Sequence, residues 1–210
     1  MVKILTDRSL QAAIDSAVAT AVELALSSAT PNDGLWRPRD MGYLAASSDP
    51  ANLISAQTSM VSQTQYVTAM KMDQAATIAK VAWYQTTAGA SVTEGTISLF
   101  DSTGAKLCEA DAVAALSKTG VNVTTFPAPS RAMTLHETVY AVLRATFSST
   151  APILRGPSTN AIPNAAGQAT GATTRYGTLG TGISAAPATI DPGSIAPSAV
   201  GGQCHWMALL

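Results

Sequence analysis

Charged side chains are scarce in this chain of 210 residues, at 12%, which is about half the share usual for a soluble domain. The net charge is −1, and the one local basic cluster, Arg37 and Arg39, is followed at once by Asp40. This charge distribution argues against a nucleic-acid partner. A surface made of small neutral residues instead favours a chain that lives in an assembly, with much of its surface covered.

Cysteine and histidine are also rare, with two residues of each kind. Cys108 and Cys204 lie far apart without metal-ligand spacing, so we expect buried small side chains and not a disulfide scaffold. His136 and His205 lack a second histidine at metal-binding spacing, and we expect ordinary packing or surface positions for both. The sequence therefore predicts no catalytic residue, no metal site and no cofactor, in a protein that is not an enzyme.

Two weaker interpretations stay open beside this one. Asp101, Glu109 and Asp111 could hold calcium next to a turn, although solvated turn residues are the favoured explanation. The three tryptophans could form an exposed platform for sugar rings. Core packing is favoured for them, because aromatic residues make up only 5% of the chain.

The beginning of the chain lacks the design of a secretory signal. Residues 1–8 do not place charged residues before an apolar run, and Asp15 and Glu23 interrupt the apolar stretch that follows. The same two carboxylates argue against a membrane span. We expect no membrane insertion, and a protein made in the cytoplasm and used there or released from it inside a larger particle.

Residues 8–28 contain no proline or glycine and predict an amphipathic α-helix, in a region that we assign to 1–30. Apolar residues recur there at a 4-3-4-3 spacing and form one seam: Leu10, Ile14, Ala17, Ala21 and Leu24. A rod of about 31 Å can pair with copies of itself, or dock on the body or on a larger partner. Self-association is favoured, so these five residues are the predicted oligomer or anchor interface.

Residues 31–57 are punctuated by proline, glycine and aspartate and predict an extended linker. The strongest strand signal in the domain that follows, 58–210, is residues 138–147. The odd positions of this segment are apolar, its even positions are mixed, and no proline or glycine interrupts it. This pattern predicts a central strand paired on both sides, with one face in the core and the other half-exposed.

Further strand signals, separated by turn residues, lie on both sides of this segment. They cover 64–72, 75–86 with a break near Lys80, 95–101, 105–109, 121–126, 152–155 and 205–210. Six or seven such strands predict an all-β fold, an antiparallel sandwich of jelly-roll or related topology behind the N-terminal helix. Residues 156–203 are rich in Gly, Pro and Ala, and we expect them to wrap the sandwich through contacts near Tyr176 and Ile183.

Several short segments carry a family likeness. They are RPRDMGYLA at 37–45, DPA at 49–51, ISLFDSTGAKL at 97–107, TGVNVT at 119–124, ETVYAV at 137–142, RYGTLG at 175–180, PATI at 187–190 and WMAL at 206–209. In order and spacing they resemble a jelly-roll-like β-sandwich module of minor tail and virion structural proteins from tailed phages that infect actinobacteria. The likeness concerns turns and strand starts over roughly 37–210. It departs at His136 and Glu137, where the family usually has a glycine.

The resemblance implies a non-enzymatic virion protein that is assembled in the host cytoplasm, most simply as a homotrimer on a tail or baseplate. Its partners would be copies of itself and other virion proteins of the tail or capsid. One alternative is a capsid decoration or head-fibre protein. Another is a carbohydrate- or receptor-binding module that contacts a host cell-surface glycan.

Overall fold

The computed structural model describes residues 37–47, 56–156, 176–197 and 205–210, which lie in one compact unit. The predicted helix, with Leu10, Ile14, Ala17, Ala21 and Leu24, lies outside the described residues. The helix and the three predicted domain ranges therefore stay predictions.

About half of the described part of the chain is β-strand, as expected for the predicted all-β fold. It also contains one short α-helix, α1 (Val113–Leu116), and two 3-10 helices, Pro38–Met41 and Pro192–Ser194. Its strands, in chain order, are β1 (Ala45–Ala46), β2 (Ala56–Ser59), β3 (Gln65–Lys71), β4 (Ala76–Thr77), β5 (Lys80–Thr87), β6 (Val92–Phe100), β7 (Lys106–Asp111), β8 (Gly120–Thr125), β9 (Ala132–Met133), β10 (Thr138–Phe147), β11 (Ile153–Gly156), β12 (Tyr176–Gly180), β13 (Ala196–Pro197) and β14 (Met207–Leu209). All pairings are antiparallel, so the predicted all-β sandwich is confirmed at this level.

Two sheets form the sandwich. In the first sheet, β8 pairs along one edge of β5, while β14 and β11 pair along its other edge, with β1 and β2 beyond them. The second sheet has the order β13-β12-β3-β10-β6-β7. β4 and β9 form a small separate pair. The segment predicted as a linker, 31–57, thus contributes β1 and the first two residues of β2 to the first sheet.

The pairings are nested along the chain. β2 pairs with β11, β3 with β10, β5 with β8, and β6 with β7. The innermost pair closes through the predicted turn at Asp101, where Gly104 N–H donates to Asp101 O at 3.0 Å. The Asp101 carboxylate accepts from Thr103 N–H (2.9 Å) and Ala105 N–H (3.1 Å), which stabilises the turn. The chain therefore folds back on itself like one long hairpin.

Strand β10 confirms the predicted central strand, because it pairs with both β3 and β6. One of its faces, with Val139 and Leu143, lies in the main core between the sheets. The opposite face, with Tyr140 and Val142, was expected to be half-exposed, and that expectation was wrong. Both residues are buried in a second apolar cluster that includes Ile190 and Ile195. The described residues 176–197, called the covering segment below, pack over this face.

Short connections precede both β5 and β10. Residues 78–79 separate β4 from β5, which confirms the predicted break near Lys80. His136 has a φ of 64°, in the left-handed region that favours glycine. The turn before β10 therefore needs this conformation even though glycine is absent from it. The Glu137 carboxylate accepts from Thr134 N–H at 3.0 Å and helps to hold the turn.

The covering segment contacts the β6–β7 turn at Gly104. Substituting this glycine tests how much the contact contributes to stability. Gly104 has a φ of +86°, and a Cβ there would collide with the carbonyl oxygen of Ile190. The N–H of Ile190 donates to Gly104 O at 3.0 Å. Gly42 has a similar φ of +78° but open space around it. We expect Gly42→Ala to lower the free energy of unfolding by about 1 kcal/mol through backbone strain alone. Gly104→Ala should cost about 2–4 kcal/mol, because the collision adds to that strain.

Urea unfolding of the two variants beside the wild-type protein measures this difference. Equal losses in Gly42→Ala and Gly104→Ala would show that the contact with Ile190 does not secure the covering segment.

Candidate functional site

An open groove of about 420 Å³ lies beside β6, β7 and β10. Its lining combines three carboxylates and one guanidinium with small residues: Thr93, Glu94, Gly95, Thr96, Glu109, Asp111, Val113, Arg144, Ser184, Ala185 and Ala186. The groove forms where the covering segment passes the end of the second sheet.

Arg144 is the one cationic residue that lines this groove. It lies on the face of β10 that the covering segment buries, and its side chain is only 3% exposed. Its Nε–H donates to Ile183 O at 2.6 Å, and its Nη2 donates to Glu94 Oε2 (2.7 Å) and Thr146 Oγ1 (3.0 Å). The Ile183 bond ties the covering segment to the sheet, so the guanidinium acts first as a structural clamp.

The charge of Arg144 is balanced within the groove by Glu94. Hydrogen bonds from Arg144, and then from Thr146, lower the pKa of the Glu94 carboxyl below its ordinary value. The Glu94 side chain remains 54% exposed. The groove therefore presents to solvent a carboxylate that is ionised at neutral pH, with a buried cation behind it.

The carboxylates considered for calcium do not converge. Asp101 holds the β6–β7 turn at one end of β7, while Asp111 lies at the other end and accepts from Val113 N–H at 2.8 Å, before α1. Glu109 bonds Lys106 (2.6 Å) and Ser98 (2.8 Å). Burial acts to raise the pKa of Glu109, but these two hydrogen bonds outweigh it and lower the pKa. Among the described residues, no group of three potential metal ligands is close enough to share an ion.

One cysteine and one histidine, Cys108 and His205, lie in the core. Burial raises the pKa of the Cys108 thiol to about 12, which leaves the thiol protonated and unreactive at neutral pH. His205 is buried with its ring edge-on to Tyr66, the ring centroids being 4.9 Å apart. Burial lowers the pKa of His205 to about 3, so its imidazole is neutral. Cys108 and His205 thus confirm the packing roles predicted for them, and Cys204 lies outside the described residues.

The tryptophans do not form a sugar platform in the described structure. Trp83 lies in the main core and Trp206 packs edge-on against Tyr43, with ring centroids 5.8 Å apart; both tryptophans are buried. The prediction of core packing is confirmed for these two, and Trp36 lies outside the described residues.

The sequence did not reveal the pairing of Arg144 with Glu94 and Ile183. The one signal in the sequence was Arg144 itself, the lone charged residue of the central strand. Such a residue indicates a buried cation that needs partners. The partners could not be found from the sequence, because they come from a different strand and from the Gly- and Pro-rich segment.

The comparisons with known proteins add no relationship to these observations: no family profile matches the chain, and no curated protein matches it in sequence. Within the described ranges, no helix has the length and apolarity needed to cross a membrane.

Neutral His205 generates a pH prediction. The unfolded chain binds a proton at this residue near pH 6.5, whereas the folded protein does so only near 3. The unfolded state therefore binds more protons between these values. The stability contributed by neutral His205 is complete above about pH 6.5 and falls by up to about 1.4 kcal/mol per pH unit as the pH drops.

Urea unfolding between about pH 6.5 and 5, a range above the ordinary pKa of carboxyl groups, measures this slope. His205→Phe keeps an aromatic ring against Tyr66 and should abolish most of the slope, whatever it does to stability at neutral pH. The same slope in both proteins would contradict the prediction.

Proposed function

We propose that this protein is a non-enzymatic structural protein of a phage virion, in which a jelly-roll sandwich is presented on an oligomeric N-terminal helix. The proposal rests on the nested strand order, together with the segments that resemble phage tail modules.

The strand order is the observation that carries the jelly-roll assignment. The jelly-roll set contains eight strands: β2, β3, β5, β6, β7, β8, β10 and β11. The first of these pairs with the eighth, the second with the seventh, the third with the sixth and the fourth with the fifth. Further pairing of β5 with β11 and of β6 with β10 divides them into the orders β2-β11-β5-β8 and β3-β10-β6-β7. A long hairpin rolled into two antiparallel sheets is the path of a jelly roll, a fold found in viral capsid proteins among others.

A structural role agrees with how the described polar groups are used. Arg144 clamps the covering segment to the sheet, Asp101 and Glu137 hold turns, and Cys108 and His205 are buried in unreactive states. The low share of charged residues suits a chain whose surface is largely covered by neighbours.

We place the protein on a tail or baseplate, with the seam of Leu10, Ile14, Ala17, Ala21 and Leu24 joining three copies or anchoring them on other virion proteins. Repeated weak contacts around an axis would then supply avidity. A capsid decoration or head-fibre position uses the same architecture. The host-glycan alternative is weakened, because Trp83 and Trp206 are buried and cannot stack on sugar rings.

The helical stem is tested by the mass of the full chain in sedimentation equilibrium. Ile14→Asp places a charge in the predicted seam and should lower the mass threefold. Ala19→Asp, on the opposite side of the predicted helix, is the matched control and should leave the mass unchanged. An unchanged mass in Ile14→Asp would remove the stem from the account. Antibody labelling of purified particles would then show whether the protein sits on tails or capsids, and absence of label would contradict a virion role.

A further inference from the structure

Strand β8 lies at an edge of the first sheet. Within the described residues it pairs with β5 alone, from Gly120 opposite Gln85 to Thr125 opposite Lys80. Its opposite edge is bordered by a groove of about 380 Å³ that also includes Asp111 and Lys118.

The side chains of β8 are inverted relative to an ordinary edge strand. Asn122 and Thr124 point into the sandwich and are buried, whereas Val121 and Val123 are 61% and 50% exposed. Exposed large apolar side chains are rare in the described structure, where Val61 is the one other case, at 55%. The outward side of β8 is therefore where exposed apolar surface concentrates.

The backbone of β8 also has unused bonding capacity. Just beyond the strand, Phe126 N–H donates to Ala79 O at 2.9 Å, across the pairing with β5. Because backbone groups in an antiparallel strand alternate sides, the even-numbered residues of β8 turn their N–H and C=O towards β5. Val121, Val123 and Thr125 turn theirs towards the open edge. These residues thus combine outward backbone groups with outward side chains.

Strand β7, at an edge of the second sheet, is protected against pairing. Lys106, Glu109 and Asp111 place charges along it, and charged side chains are a common device that blocks association at sheet edges. β8 has no charge, no proline and no irregularity in its register with β5. The two edges therefore differ in the feature that controls strand addition.

The charges around β8 favour a neutral, self-matching partner. The groove contains one carboxylate, Asp111, and one ammonium group, Lys118. A second copy of the chain brings the same two charges, so that the charges balance across the contact. A strongly acidic partner would repel Asp111, and a strongly basic partner would repel Lys118.

We propose that β8 pairs antiparallel with β8 of a second copy across a two-fold axis, which joins the two first sheets into one continuous sheet. Residues that face each other in such a pair share a side of the sheet. The best register places Val123 opposite Val123 of the partner subunit and Val121 opposite Thr125 of the partner subunit. Each outward-facing residue then donates and accepts one backbone hydrogen bond, and the valines meet on one face.

This contact uses the sandwich and not the predicted helix, so it stands apart from the proposed stem. Sedimentation equilibrium of the full chain tests it through a ratio of masses. Val123→Lys places a charge at the centre of the pair and should halve the mass relative to wild type, whether or not the stem also assembles copies. Val61→Lys, at a valine of similar exposure outside β8, is the matched control and should leave the mass unchanged.

Val123→Pro separates strand pairing from simple apolar contact. Its missing N–H faces the open edge, so no bond to β5 is lost, but the central pair of the proposed contact cannot form. We expect it to halve the mass as Val123→Lys does. A tryptophan fluorescence spectrum unchanged from wild type, to which buried Trp83 and Trp206 contribute, would show that the fold is intact. The proposal is overturned if wild type, Val123→Lys and Val123→Pro have the same mass, or if Val61→Lys lowers the mass equally.

Discussion

Strand β10 is buried on both faces, and the rest of the described structure depends on that burial. Val139 and Leu143 lie in the core between the sheets, while Tyr140 and Val142 lie under Ile190 and Ile195. Burial of an apolar side chain of this size contributes about 1.5–3 kcal/mol. The second face gains that contribution only while the covering segment stays in place, so a Gly- and Pro-rich stretch becomes part of the folding unit.

The same constraint explains the groove beside β10. Arg144 lies on the covered face, where an unpaired guanidinium would be costly. Its bonds to Ile183 O and Glu94 satisfy it and hold the covering segment against the sheet. The groove and its exposed carboxylate thus follow from the need to satisfy a buried cation. We therefore interpret the groove as a structural feature and not as a ligand site.

Several elements were predictable because their signals are local. Uninterrupted alternation identified β10, and Asp101 to Gly104 identified the β6–β7 turn. In contrast, alternation located β8 without showing which of its faces is inside, since the partner strand and its register decide that. The short β12, Tyr176–Gly180, has little strand propensity of its own and is held by pairing with β3. The predicted interface, Leu10, Ile14, Ala17, Ala21 and Leu24, remains a prediction.

Native-state amide hydrogen exchange tests the central role of β10 most directly. If its double burial organises the fold, the amides from Val139 to Ala145 should exchange only through global unfolding. Their opening free energy should then equal the free energy of unfolding measured with urea. The amides of Glu109 and Asp111, which face the open edge of β7, should exchange through smaller openings. Exchange of the β10 amides as fast as those of β7 would contradict the account.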